Sequence, residues 1–233
     1  MTADDSGYAK DTSTLNMVVE PPPGHQSLEG SMHQSYKTDR KKLTLVFASM
    51  CLMNFGSAFI WDFPSIFTDQ LITELNLTTY HVSWLYIVYS IPNFVMTPLG
   101  SLILNKIGLG MGCIYITAFV AVSIVLFGFG TQYKSFYLLL AARAVYGVGG
   151  EMLLICQTTV AEKWFTGKFL SIAIGCNTFM TFFAAAISAN VSPRLYTISS
   201  SFKTPVLGGI AATVLSLIAA LVYKFVEDSS PFK

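Results

Sequence analysis

The chain has 233 residues, of which 53% are hydrophobic and only 12% charged, with a net charge of +1. Water-soluble domains carry about 25% charged residues to cover their surface, so this shortfall points to a surface that faces lipid. No basic arm suited to nucleic acid, no metal-ligand spacing, no phosphate loop and no Ser/His/Asp grouping occurs, so a nucleic-acid partner, a metal, a cofactor and an enzymatic role are not expected.

Residues 1–42 are rich in Asp, Ser, Thr, Gly and Pro and are broken by Pro21-Pro22-Pro23-Gly24, which reads as a disordered cytosolic tail. It closes on the basic residues Lys37, Arg40, Lys41 and Lys42. Six apolar runs follow, at 43–66, 81–104, 111–131, 135–160, 168–191 and 205–226, forming a membrane domain over 43–226. Each is about 20 residues or longer, enough to cross ~30 Å of hydrocarbon as a helix. Residues 227–233 begin a cytosolic linker. The expectation is an all-α polytopic membrane protein in a lipid bilayer. The four cysteines, Cys51, Cys113, Cys156 and Cys176, lie in or beside these runs with no CxxC pair, and read as small buried hydrophobes.

Lys and Arg set the orientation. With the N-terminus in the cytosol, that side receives Lys106, Lys163, Lys168, Lys224 and Lys233 besides the tail cluster. The other side receives only Lys134, Arg194 and Lys203, so both termini are expected in the cytosol. Asn76-Leu77-Thr78 is then an N-glycosylation acceptor on the lumenal or extracellular side. Asn190-Val191-Ser192 has the same form but sits at a span end before Pro193 and is discounted. Trp61, Trp84 and Trp164 fall near expected interfaces, where indole is favoured. His81, beside an outer loop, reads as an exposed loop histidine or a sensor of lumenal acid.

Three charges lie inside the spans: Asp62 in the first, and Arg143 and Glu151 in the fourth. Each costs about 2.5–3.5 kcal/mol at a helix centre, so they turn away from lipid. Arg143 is expected to pair with an internal acid such as Asp62, and Glu151 to face a cavity. Asp62 also fits an interfacial carboxylate. Eight residues place Arg143 and Glu151 about 12 Å apart along one helix, too far to pair. Asn54, Tyr86, Tyr89, Ser90, Asn93, Gln157 and Asn177 add polar groups within the spans, either bonding helix to helix or lining a solute path. Small residues precede the acid in spans one and four alike, as in a three-plus-three inverted repeat.

Specific motifs then appear. Gly100-Ser101-Leu102-Ile103-Leu104-Asn105-Lys106-Ile107-Gly108 resembles the G-x-L-x-D-R-x-G loop of the major facilitator superfamily, with Asn105 in place of the acid. Arg143-Ala144-Val145-Tyr146-Gly147-Val148-Gly149-Gly150-Glu151 resembles its span-four motif, a buried Arg before a glycine-rich stretch. The Gly-Gly-Glu ending is similar to a branch that exports small peptides from lysosomes. So are Phe55-Gly56-Ser57, Asp62-x-Pro64, Tyr86-x-x-Tyr89-Ser90-x-Pro92-Asn93 and Trp164-Phe165-x-Gly167-Lys168. The resemblance covers about residues 43–200. It implies a six-helix half with a three-plus-three inverted repeat, alternating access, and a small organic solute, dipeptides or amino-acid-like compounds first. It implies solute contact at Glu151, Tyr86, Tyr89, Asn93 and Asn177, with Asp62, Arg143, Asn105 and Lys106 as gating or structural groups. It implies a lysosomal, vacuolar or other endomembrane rather than the plasma membrane. The branch's basic residue on span five maps close to Phe182, and the interior of that span carries no Arg or Lys. Such carriers have twelve spans, so a second six-span half, in the same or a separate chain, is expected, and residues 1–233 alone are not expected to transport. The alternative is a non-transporting membrane scaffold or accessory subunit derived from a half-carrier.

Overall fold

A computed structural model describes residues 40–230 as helices joined by short turns, with no strand among the described residues. Among the described residues, six helices are long and apolar enough to span a bilayer. Helix α1 is Arg40–Trp61 and is followed by two short pieces, α2 (Phe63–Ile66) and α3 (Thr68–Leu75). The remaining spans are α4 (Thr79–Ile107), α5 (Leu109–Gln132), α6 (Phe136–Trp164), α7 (Lys168–Ser199) and α8 (Lys203–Asp228). The expected tail lies outside the described residues except for 40–42, which are helical and belong to α1. The expected linker is helical to Asp228, and its last residues fall outside the description.

Phe94, Ile198 and Phe225 are 84%, 83% and 73% exposed, and large apolar side chains cover the perimeter. Such a surface is stable only in lipid, where a helix also satisfies its backbone internally. Inside, α5 packs against α6 and α8, and α4 against α6. One apolar cluster joins Val46, Met50, Met53, Leu104, Leu153 and Tyr223, and a second joins Phe59, Phe63, Phe67, Val120, Phe127 and Tyr146. The end bearing both α1's start and α8's end is tied by charge. Lys163 pairs with Glu227 at 2.7 Å, and Lys42 Nζ donates to the Ser229 carbonyl at 3.0 Å.

Small residues permit the closest approaches. A Cβ on Gly56 would lie 2.5 Å from Ser216 Oγ and 2.6 Å from the Ala212 carbonyl, so α1 and α8 meet backbone to backbone there. Ser216 Oγ accepts from the Gly56 N–H at 2.8 Å and donates to the Leu52 carbonyl at 2.9 Å, bridging a turn of α1. A side chain inserted at a helix turn is a recognised cause of bending.

Three differences from the sequence reading have physical reasons. Helix α7 runs through Pro193 to Ser199, eight residues past the expected end. Proline removes one backbone donor, but neighbouring helices and Ser/Thr hydroxyls make this tolerable in a span. The loop after the first span holds α3, whose C-cap Asn76 adopts the left-handed conformation at φ 51°. His81 is a helix cap: its Nδ1 accepts the Thr78 N–H at 3.2 Å and lies 2.8 Å from Thr78 Oγ1. It takes the role that Glu or Gln has in a capping box.

Two cysteines also depart from expectation. Cys113 of α5 and Cys156 of α6 form a disulfide with Cα atoms 6.2 Å apart, while Cys51 and Cys176 are free. A separation of 43 residues carries no pairing signal, and only the packing of α5 on α6 brings these sulfurs together. Maleimide labelling of the denatured, unreduced chain is expected to count two thiols, rising to four after reduction. Four thiols before reduction would refute the bond.

Candidate functional site

The in-span charges gather where α1, α4 and α6 converge. Helix α1 is interrupted at Asp62, just before Pro64, and the Asp62 side chain is exposed. Tyr86 on α4 donates its hydroxyl to Asp62 Oδ1 at 3.0 Å. Three residues on, and so on the same helical face, Tyr89 donates to Glu151 Oε1 at 2.8 Å. Two carboxylates, one at the break after α1 and one on α6, are thus each held by one tyrosine of α4. Glu151 is half-buried, and so are Tyr86 and Tyr89. Ser90 and Asn93 continue this side of α4, and an open groove of about 380 Å³ is lined by Tyr86, Ile87, Ser90, Ile91 and Phe94.

Gly147 fixes the spacing between the two helices. A Cβ at this position would lie 2.3 Å from the Tyr89 carbonyl oxygen. Only glycine lets α6 come close enough for Glu151, one turn further on, to receive the Tyr89 hydroxyl.

Arg143 does not pair with Asp62, which corrects the expectation of an internal ion pair. Its Nη1 donates at 2.9 Å to the carbonyl of Trp61, the last residue of α1. The guanidinium lies over the rings of Phe127 and Tyr146, with centroids at 5.7 and 5.6 Å. The reason is the break at Asp62. It ends α1 at Trp61, before the end of the span, and the terminal carbonyls of a helix carry partial negative charge. The Trp61 carbonyl and two aromatic faces stabilise the buried cation, and Asp62 is left to turn toward Tyr86. Arg143 is 4% exposed, and it borders a cavity of about 10 Å³ that Ser123 also lines.

Tyr146 completes the group. Its hydroxyl donates to the Ser57 carbonyl at 3.0 Å, and its ring centroid is 5.6 Å from that of Tyr89. Sequence reasoning missed Tyr146 and Ser57 as members of this site. Their signal was position alone: Tyr146 is three residues past Arg143 and five before Glu151.

The other expected residues fall elsewhere. Asn177 is 5% exposed and sits between helices, with Nδ2 donating to Gln157 Oε1 at 2.8 Å. Thr181 Oγ1, which donates to the Asn177 carbonyl at 3.1 Å, also accepts from Asn54 Nδ2. These bonds join α1, α6 and α7, and interhelical polar contacts of this kind are worth about 0.6 kcal/mol on average. Asn93 accepts from Thr97 within its own helix. Asn105 and Lys106 are exposed at the far end of α4, remote in sequence from Tyr86 and Tyr89, and neither is in an ion pair among the described residues. Gly108, which ends that helix, has φ 89°, a conformation that favours glycine.

A bundle of six apolar helices with polar groups at a break in its first span is the architecture of half a secondary transporter. The chain belongs to the Major Facilitator Superfamily, whose family model matches residues 50–232. It is similar to proteins named lysosomal dipeptide transporter MFSD1. The zebrafish (Danio rerio) protein is 35% identical over 193 residues, which cover 78% of this chain and 42% of that relative. The human protein is 31% identical over 195 residues, 79% of this chain and 42% of the relative. The bovine (Bos taurus) protein is 29% identical over 219 residues, 89% and 46% respectively. The chain therefore spans less than half the length of these relatives.

Proposed function

We propose that this chain forms the half of an alternating-access carrier that presents Glu151 and Asp62 to a small organic solute, dipeptides or amino-acid-like compounds first. The carrying observation is the bond from Tyr89 to Glu151 between half-buried side chains, one turn of α4 from Tyr86, which lines an open groove. A carboxylate positioned by one hydroxyl keeps acceptor sites for a solute ammonium. The names of the similar proteins support the same solute class and a lysosomal membrane. The second six-span half closes over the site. Helices α4 and α7 support this, because they bury little of their apolar length, and Phe182 on α7 is 67% exposed. Uptake of labelled dipeptide into vesicles holding this chain together with a second six-span half is expected to saturate and to require Glu151. Stable co-purification with partners and no flux under any condition would instead favour a scaffold role.

The orientation proposed is cytosolic at both ends. Asn76 is exposed at the turn after α3, which supports a glycan there on the lumenal side. Endoglycosidase treatment is expected to sharpen and lower the band of the expressed chain, and Asn76→Gln to run at the treated position. An unmodified band from a secretory-pathway host would count against this topology.

A further inference from the structure

The C-terminal end of α5 and the N-terminal end of α8 frame a second concavity, of about 680 Å³, away from the Tyr89–Glu151 site. Its floor is apolar, built from Val125 and Phe129 of α5 and from Leu207 and Ile210 of α8. Its rim carries two cations, Lys134 just after α5 and Lys203 at the start of α8. Both lysines are exposed, and neither is in an ion pair among the described residues. Glu74 also lines the space, and its carboxylate accepts the Tyr196 hydroxyl. The rim thus sets two lysines against one carboxylate.

Depth decides what fits. Val125 lies seven residues inside the end of α5 and Ile210 seven inside the start of α8. At ~1.5 Å per residue the floor reaches about 10 Å below the helix ends. The concavity thus starts at the level of lipid headgroups and descends into the acyl region. Val125, Phe129 and Leu207 are 39%, 45% and 62% exposed along it, on the outer side of the bundle. A soluble anion would use the rim and leave the floor wet, and a zwitterionic lipid would bring its own cation to a rim that already carries two lysines.

We infer that this is a binding site for an anionic glycerophospholipid, with the phosphodiester between Lys134 and Lys203 and an acyl chain along Val125, Phe129, Leu207 and Ile210. The ligand holds the α5 and α8 ends at fixed separation from the non-cytosolic leaflet.

Native mass spectrometry of the 233-residue chain in detergent, with added phosphatidylglycerol or phosphatidylcholine, tests it. One phosphatidylglycerol is expected to be retained at least fivefold more than phosphatidylcholine. Lys134→Gln with Lys203→Gln should abolish that preference, and Lys134→Arg with Lys203→Arg should keep it. Removing two exposed lysines at the other end, Lys41→Gln with Lys168→Gln, should leave it unchanged. Leu207→Ser should weaken retention of phosphatidylglycerol. Equal retention of the two lipids overturns the inference, as does an equal loss in the Lys41 and Lys168 control. Displacement by water-soluble glycerophosphate at the concentration of the lipid would show a soluble-anion site and overturn it too.

Discussion

Replacing Glu151 by Gln is expected to lower flux through the assembled carrier by about 10–100-fold, with the protein otherwise intact. Gln is isosteric, and its amide oxygen still accepts the Tyr89 hydroxyl that now reaches Oε1 at 2.8 Å. What disappears is the negative charge. Hydrogen bonds to a charged group contribute about 1.5–3 kcal/mol, which corresponds to that range in affinity. Saturable uptake of labelled dipeptide should therefore fall while the thermal midpoint in detergent stays within a few degrees. Tyr89→Phe removes only a positioning bond of about 0.5–1.5 kcal/mol, so its loss should be about 2–10-fold. Wild-type flux and affinity in Glu151→Gln would end the proposed role of this carboxylate.

The second large effect is expected at Gly147. Alanine is the better helix former by about 1 kcal/mol, so on propensity alone Gly147→Ala would stabilise α6. Packing reverses the sign. The new methyl would stand 2.3 Å from the Tyr89 carbonyl oxygen, a backbone atom with no rotamer to relieve the overlap. Helix α4 must retreat by about 1 Å, and overpacking of this kind costs about 1–3 kcal/mol. The same retreat stretches the Tyr89–Glu151 bond beyond hydrogen-bond range. Gly147→Ala should lower the thermal midpoint and reduce flux together, and Gly147→Val should do both more severely. An alanine variant with wild-type midpoint and flux would show that the two helices do not need this contact.

These two residues divide differently between sequence and structure. Glu151 was legible as a site residue because an acid in a span carries a solvation cost that function must justify. Its partner Tyr89 was legible only as one of four side chains that the resemblance set beside Glu151 for solute contact, and nothing in the sequence chose it over Asn177. The structure separates them. Tyr89 is half-buried and bonded to Glu151, whereas Asn177 is 5% exposed and bonded to Gln157 between helices.

Composition and the spacing of apolar runs determined the bilayer, the six spans and the residues that cannot face lipid. That information is local, because the transfer of about 20 consecutive side chains into hydrocarbon depends on those side chains alone. Tertiary structure decided the pairings. It gave Arg143 to the carbonyl end of α1 instead of to Asp62. It joined Cys113 to Cys156 across 43 residues, and it made Gly147 the contact that sets the site. Each of these depends on which faces of different helices meet and where a helix ends inside the protein, and a one-dimensional pattern holds neither fact.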